Sequence, residues 1–163
     1  MLRYPYAITP EANGTFLVTV TGIPGAFTAC RSKEEARDMS LDVSLTMLAA
    51  MMDDAEDIPA PPAFKRGQAS FVELPAMVEV KLAIYQAMRR QGMSQVKLAS
   101  ILGTDPKSIR RLLDLFHSSR WDHLEMALEA LGYQARVTVE PFAAVPGALV
   151  KGGAKREGQA LRT

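Results

Sequence analysis

Hydrophobic positions along this chain follow two patterns. They form short β-rich runs up to about residue 31 and again at Phe71 to Leu74, and in the intervening and later stretches they mostly recur at helical steps of three and four. Tyr4 to Thr9 and Thr15 to Val20 flank PEANG, whose Asn13-Gly14 pair tolerates positive φ, so two antiparallel strands joined by a hairpin are expected. A turn at Gly22 to Gly25 leads into a third extended run, Ala26 to Arg31. Ser32 precedes Glu35 by three, a capping-box pattern that predicts a helix from there to about Met52. Ala36, Met39, Leu41, Val43, Leu45, Met47, Leu48, Met51 and Met52 then give that helix an apolar face to lay across the sheet. The prolines of Ile58 to Pro62 end it, and the polar KRGQAS leads into a fourth strand at Phe71 to Leu74.

After Pro75 the pattern becomes helical. One helix is expected from Ala76 to about Gln91, with Val80, Ile84, Ala87 and Met88 inward, Gly92 as its stop and Ser94 capping the next. QVKLASILGTDPKSIRRLL, Gln95 to Leu113, reads as two short helices joined by a sharp turn at Gly103, with Leu98, Ala99, Ile109 and Leu112 filling the angle between them. Asp105-Pro106 supplies a capping carboxylate and a proline suited to the first helical position. A last helix from Trp121 to Leu131 turns Leu124, Ala127, Leu128 and Leu131 inward and stops at Gly132. Ala135 to Val139 is again β-rich and needs a partner, either a strand of the same chain or its twin in a second copy. From Pro141 the chain is rich in Gly, Pro and Ala and reads as a flexible tail. The organisation expected is a first domain of 1–74, a helical domain of 75–140 and a tail of 141–163.

Composition adds one contrast. The net charge of +1 conceals 6 Lys+Arg against 10 Asp+Glu in residues 1–74, and 13 against 8 in 75–163, so the halves carry −4 and +5. That opposition suits a basic partner at the front and a polyanion at the back. Cys30 stands alone, which excludes an internal disulfide and fits a reducing cytoplasm. No window approaches the length of a membrane span, and MLRYPYAITPEANG lacks the apolar run of a secretion signal.

Candidate chemistry concentrates in two places. On the second helix of the central motif, Lys107, Ser108, Arg110 and Arg111 project away from Ile109, Leu112 and Leu113, presenting three cations and a hydroxyl to a major groove. Ser94, Gln95 and Lys97, at the start of the preceding helix, are placed for phosphate contacts. Asp53, Asp54, Glu56 and Asp57 follow the long helix at the end where its dipole disfavours anions; they form either a solvated exit or a surface for a cationic partner. His117 and His123 are the only histidines and have no metal-ligand spacing. No nucleophile elbow or phosphate-binding glycine loop occurs, and sequential carboxylates at 53–57 do not make a converging metal set. Neither an enzyme nor a cofactor is expected.

The order YPYAITPEANGTFLVTVTGIPGAFT, a helix capped at Ser32, IPAPP, and FVELP leading into a helix-turn-helix resembles a HicB-type antitoxin, the partner of the HicA toxin in a type II toxin-antitoxin pair. The resemblance covers about residues 3–139 and departs at Thr104, often apolar in such motifs, and in the tail. It implies an α+β fold: a partial RNase H-like α/β domain without a working nuclease site, then an all-α helix-turn-helix domain with a short C-terminal strand. It also implies neutralisation of a small basic mRNA-cleaving toxin, repression of its own operon through operator double-stranded DNA, and a homo-dimer or tetramer. The acidic residues 53–57 are offered as the toxin contact on charge alone, because the family's contact residues form no fixed motif. The competing reading is a stand-alone or phage-derived helix-turn-helix regulator whose first domain binds something else.

Overall fold

The computed structural model describes residues 2–63 and 70–139. The tail expected from 141 lies outside them, as does KRGQAS apart from Ser70. The described chain is mixed α+β, a four-stranded antiparallel sheet followed by helices. β1 (Arg3–Pro10) sits inside the sheet between β2 (Phe16–Val20) and β4 (Ser70–Glu73), and β3 (Phe27–Cys30) flanks β2, giving the order β3-β2-β1-β4. The β1–β2 hairpin closes with Pro10 opposite Phe16; Gly14 takes φ +84°, and Asn13 Oδ1 accepts from both the amide and the hydroxyl of Thr15. Cys30 is buried and directs its Sγ to the Ser32 carbonyl, as a small packed hydrophobe would.

α1 (Ala36–Asp53) packs on this sheet, touching β2, β3 and β4. It begins three residues later than the capping box suggested, with Glu35 and not Ser32 at the N-cap position. Ser32 Oγ does accept from the Glu35 amide at 3.3 Å, but the Glu35 carboxylate bonds the Arg31 amide instead of Ser32's own. The pair therefore ties off a turn before the helix. The buried stripe also differs from the expected apolar face: it comprises Ala36, Ser40, Ser44, Leu48 and Met51. The two serines are fully buried because their hydroxyls donate to the carbonyls of Arg37 and Ser40, leaving no polar atom unsatisfied and a small cross-section against the sheet. Leu41, Val43, Leu45, Met47 and Met52 flank this stripe, half-buried against the main core, and Met39 packs on the smaller Val18–Cys30–Ala36 cluster.

Four helices follow: α2 (Ala76–Arg90), α3 (Gln95–Ile101), α4 (Pro106–Leu113) and α5 (Trp121–Ala130). Leu98, Ala99, Ile109, Leu112, Leu124, Ala127, Leu128 and Leu131 are buried as their spacing required. One apolar cluster runs without a break from Tyr4 and Val72 in the sheet through Leu48 to Leu82, Leu98 and Leu124. Among the described residues Ala135 to Val139 pairs with no strand of its own chain, so the first of the two partners expected for it is not found there.

The turn before β3 is tightly constrained. Gly22 adopts φ +97°, and a Cβ placed on it would lie 2.6 Å from Pro62 Cδ and 3.4 Å from the Tyr4 ring. Gly22→Ala combines left-handed strain with overpacking and is expected to cost about 2–4 kcal/mol. Gly14→Ala, at φ +84° with nothing within 4 Å, should cost only the strain, about 1–2 kcal/mol. Urea denaturation of the two variants side by side separates the terms, and equal losses would refute the packing contribution.

Candidate nucleic-acid interface

α4 is a short, strongly two-sided helix. Asp105 caps it, with Oδ1 accepting from the Ser108 amide at 3.0 Å and Oδ2 from the Ser108 hydroxyl at 2.7 Å. These two bonds from Ser108, the hydroxyl's first, hold the Asp105 carboxyl below its usual range, so the cap persists above that range and is lost as pH falls through the lowered value. Gly103 takes φ +63° and turns the chain from α3 into α4. Ile109, Leu112 and Leu113 are buried beneath, leaving Lys107, Ser108, Arg110 and Arg111 exposed.

Two open clefts flank this ridge. Gln95, Lys107, Arg110 and Arg111 line one of about 650 Å³, whose far wall is the last turn of α1 with Met52 and Asp53. Ser108 and Arg111 line the other, of about 460 Å³, together with His117, Ser119, Arg120 and His123. The structure thus gathers four of the seven residues expected at DNA around one concavity and puts Ser108 on the opposite side. Ser94 and Lys97 line neither. Ser94 Oγ accepts from the Lys97 amide as the cap of α3, so what it offers a phosphate is its hydroxyl proton. Ser108 offers the reverse: its proton is committed to Asp105, and its oxygen remains as an acceptor.

Sequence reasoning missed the second cleft and the residue that seats α4. Lys81 of α2 is fully buried, and its Nζ donates to the carbonyls of Asp114 and His117, just past the end of α4. Burial pushes its ammonium down, and the Asp114 carboxylate opposes that shift. The available signal was phase: Val78, Lys81, Leu82 and Tyr85 fall on one helical stripe, and a lysine at a core position needs partners. Arg120 is already paired with Asp122 at 2.6 Å, holding that carboxylate below its ordinary value.

The acidic residues sit at the exit of α1. Ala55, at φ +55°, reverses the chain in a left-handed turn in which the Glu56 amide donates to the Met51 carbonyl. Asp53, Asp54 and Glu56 are exposed, and the last turn of α1 carries no basic residue to offset them. Asp57 is taken by Arg89 of α2 at 2.9 Å, while the Glu56 and Ile58 carbonyls accept from Tyr85 and Gln86. This part of the acidic run clips the sheet half to α2. Burial raises the Tyr85 hydroxyl's pKa, with Arg89 opposing the shift.

Comparison with known proteins places the whole arrangement. Residues 3–83 match the model of the family described as HicB_like antitoxin of bacterial toxin-antitoxin system. Antitoxin HicB 1 of Photorhabdus laumondii is 31% identical over 139 residues, covering 85% of this chain and 88% of that protein. The chain belongs to the HicB antitoxin family. Antitoxin HicB of Escherichia coli strain K12 is 31% identical over 80% of this chain and 94% of its own length, and that of Pseudomonas fluorescens 30% over 85% and 96%. These HicB relatives are named as antitoxins and not as enzymes, in keeping with a role in binding. No described helix is long and apolar enough to cross a membrane.

Proposed function

We propose that this HicB-family chain neutralises a HicA-type toxin and represses its own operon in the cytoplasm, binding operator double-stranded DNA as a homo-dimer or tetramer. The observation that carries the DNA reading is the α4 ridge: a capped helix anchored by Ile109, Leu112 and Leu113, with Lys107, Arg110 and Arg111 outward. In this reading α3 and α4 are a helix-turn-helix, α4 enters the major groove, and Gln95, Lys97 and Ser94 hold phosphates. The toxin reading rests on the family. The RNase H-like domain of 1–74 meets the toxin, and 75–140 handles DNA and self-association. Asp53, Asp54 and Glu56 support an electrostatic contact because they stand exposed where the helix dipole disfavours them.

Co-expression with the product of the adjacent small basic open reading frame, followed by growth and co-purification, tests the central claim. Growth rescue and a stable complex are expected; a neighbour that is neither toxic nor retained would refute it. Reversing Asp53, Asp54 and Glu56 to lysine should weaken toxin binding roughly tenfold or more, at about 0.2–1 kcal/mol for each exposed pair removed plus the repulsion introduced. Asp57 is left in place because it holds Arg89. Titration calorimetry with unchanged affinity would remove the acidic contact from the proposal.

A further inference from the structure

We propose that the cleft beside the start of α5 is a phosphate site for a nucleotide unit, separate from the base-reading ridge of α4. Of the two clefts flanking α4, this one has the more uniform charge. Arg111, His117, Arg120 and His123 line it and no Asp or Glu does, whereas Asp53 and Asp114 line the other. The two neighbouring carboxylates are engaged elsewhere: Asp105 accepts from Ser108, and Asp122 accepts from Nε and Nη2 of Arg120 at 3.1 and 2.6 Å. A guanidinium has five N–H donors, so this pair fixes the plane of Arg120 and leaves three, both of those on Nη1 among them, for an anion.

Ser119 supplies a neutral donor. It lines the same cleft, and its Oγ is the buried side-chain polar atom that lacks a partner among the described residues. Orphaned hydroxyls are rare in folded proteins, and this one gives up no bond when it rotates toward an incoming oxygen. His117 and His123 each offer at least one ring N–H in either protonation state. α5 opens at Arg120 without a capping side chain, where α3 and α4 have Ser94 and Asp105, so its first turn adds the positive end of its dipole. The loop that carries these donors is pinned before any ligand arrives. Lys81 donates to the His117 carbonyl, the Ser119 amide to Met77 Sδ, and the Leu124 amide to the Arg120 carbonyl. A volume of about 460 Å³ exceeds one phosphate, and Ile109, Leu112 and Met126 form an apolar wall, which suits a phosphoester bearing a sugar or base. That phosphoester has two sources. One is an operator strand passing α4 on the side opposite the cleft that Gln95 lines, which rests on the DNA reading of α4; the other is a free nucleotide, which does not.

The test uses the full chain with Ser119→Ala and Arg120→Gln. Each protein is measured by urea denaturation, by mobility shift with operator and scrambled duplex at several salt concentrations, and by calorimetric titration with nucleoside monophosphates. Ser119→Ala removes an orphaned hydroxyl, so stability should hold or rise while phosphate binding falls roughly threefold or more. A loss of stability in this variant would make the hydroxyl structural and strike it from the site. With the operator strand as source, Arg120→Gln weakens operator and scrambled duplex by the same factor, roughly tenfold, and lowers the salt slope by about 1. With a free nucleotide as source, the wild-type chain binds a nucleoside monophosphate, both variants lose it, and duplex binding is unchanged. Duplex binding unaltered in both variants, together with no nucleotide binding by the wild type, would overturn the site and leave the α4 reading standing. A wild-type chain that shifts no duplex defeats the α4 reading instead, and the nucleotide titration then decides the site alone: binding lost in both variants upholds it, and no binding overturns it.

Discussion

Arg110→Ala combined with Arg111→Ala is expected to abolish the operator shift while leaving toxin neutralisation intact. Each arginine that pairs with a base edge carries about 1–3 kcal/mol of discrimination, so losing both lowers affinity for the operator by about 2–6 kcal/mol, roughly thirtyfold to twenty-five-thousandfold. Both side chains are exposed on α4, and the buried Ile109, Leu112 and Leu113 are untouched, so the helix should stay in place. Its C-terminal turn loses two favourable cations at about 0.3–1 kcal/mol each. Lys97→Ala serves as the contrasting variant: removing a cation placed for phosphate weakens binding to all sequences alike and reduces the salt slope by about 1. Mobility shifts with operator and scrambled duplex at several salt concentrations separate these outcomes. Simultaneous loss of operator and toxin binding in the double variant would refute the assignment of the two activities to different parts of the chain.

The largest stability effect is expected at Lys81. Lys81→Met keeps most of the aliphatic stem but removes the ammonium that satisfies the Asp114 and His117 carbonyls. Each orphaned carbonyl costs about 1–3 kcal/mol, so a loss of about 2–6 kcal/mol is expected, concentrated where α4 meets the loop toward α5. The alkaline pH dependence gives an independent check. Burial holds the ammonium's pKa below the ordinary 10.5, so keeping Lys81 charged in the native state carries a penalty at neutral pH. That penalty lifts as pH rises through the folded pKa toward 10.5, so the advantage of wild type over Lys81→Met should widen across that window. Urea denaturation of both proteins at neutral and alkaline pH measures the difference, in which the buried tyrosines Tyr4 and Tyr85 largely cancel. A gap that narrows with rising pH would contradict the assignment.

Local features of the site were legible wherever the cause lay within a few residues. Asn13-Gly14, Ser94, Gly103 and Asp105-Pro106 each act through their own turn or cap, and each stands where its chemistry required. The stripe of α1 was harder to read. Ser40 and Ser44 are polar by type, yet each disposes of its hydroxyl inside the helix and then packs as a small residue. The acidic run was legible as charge but not as use, because nothing local distinguishes Asp57, tied to an arginine 32 residues away, from Asp53 and Asp54.

By itself the sequence determined the order of strands and helices, the outward cations of α4 and membership of the HicB antitoxin family. Those depend on periodicity, turn chemistry and residue identity along a continuous stretch. The tertiary structure alone decided that Lys81 seats α4, that α4 stands between two clefts with Asp53 facing one of them, and that Ala135 to Val139 finds no strand partner among the described residues of its own chain. These depend on which distant segments come together. A lysine in an apolar stripe, or a β-rich run near a terminus, reads the same until the packing around it shows whether a partner is there.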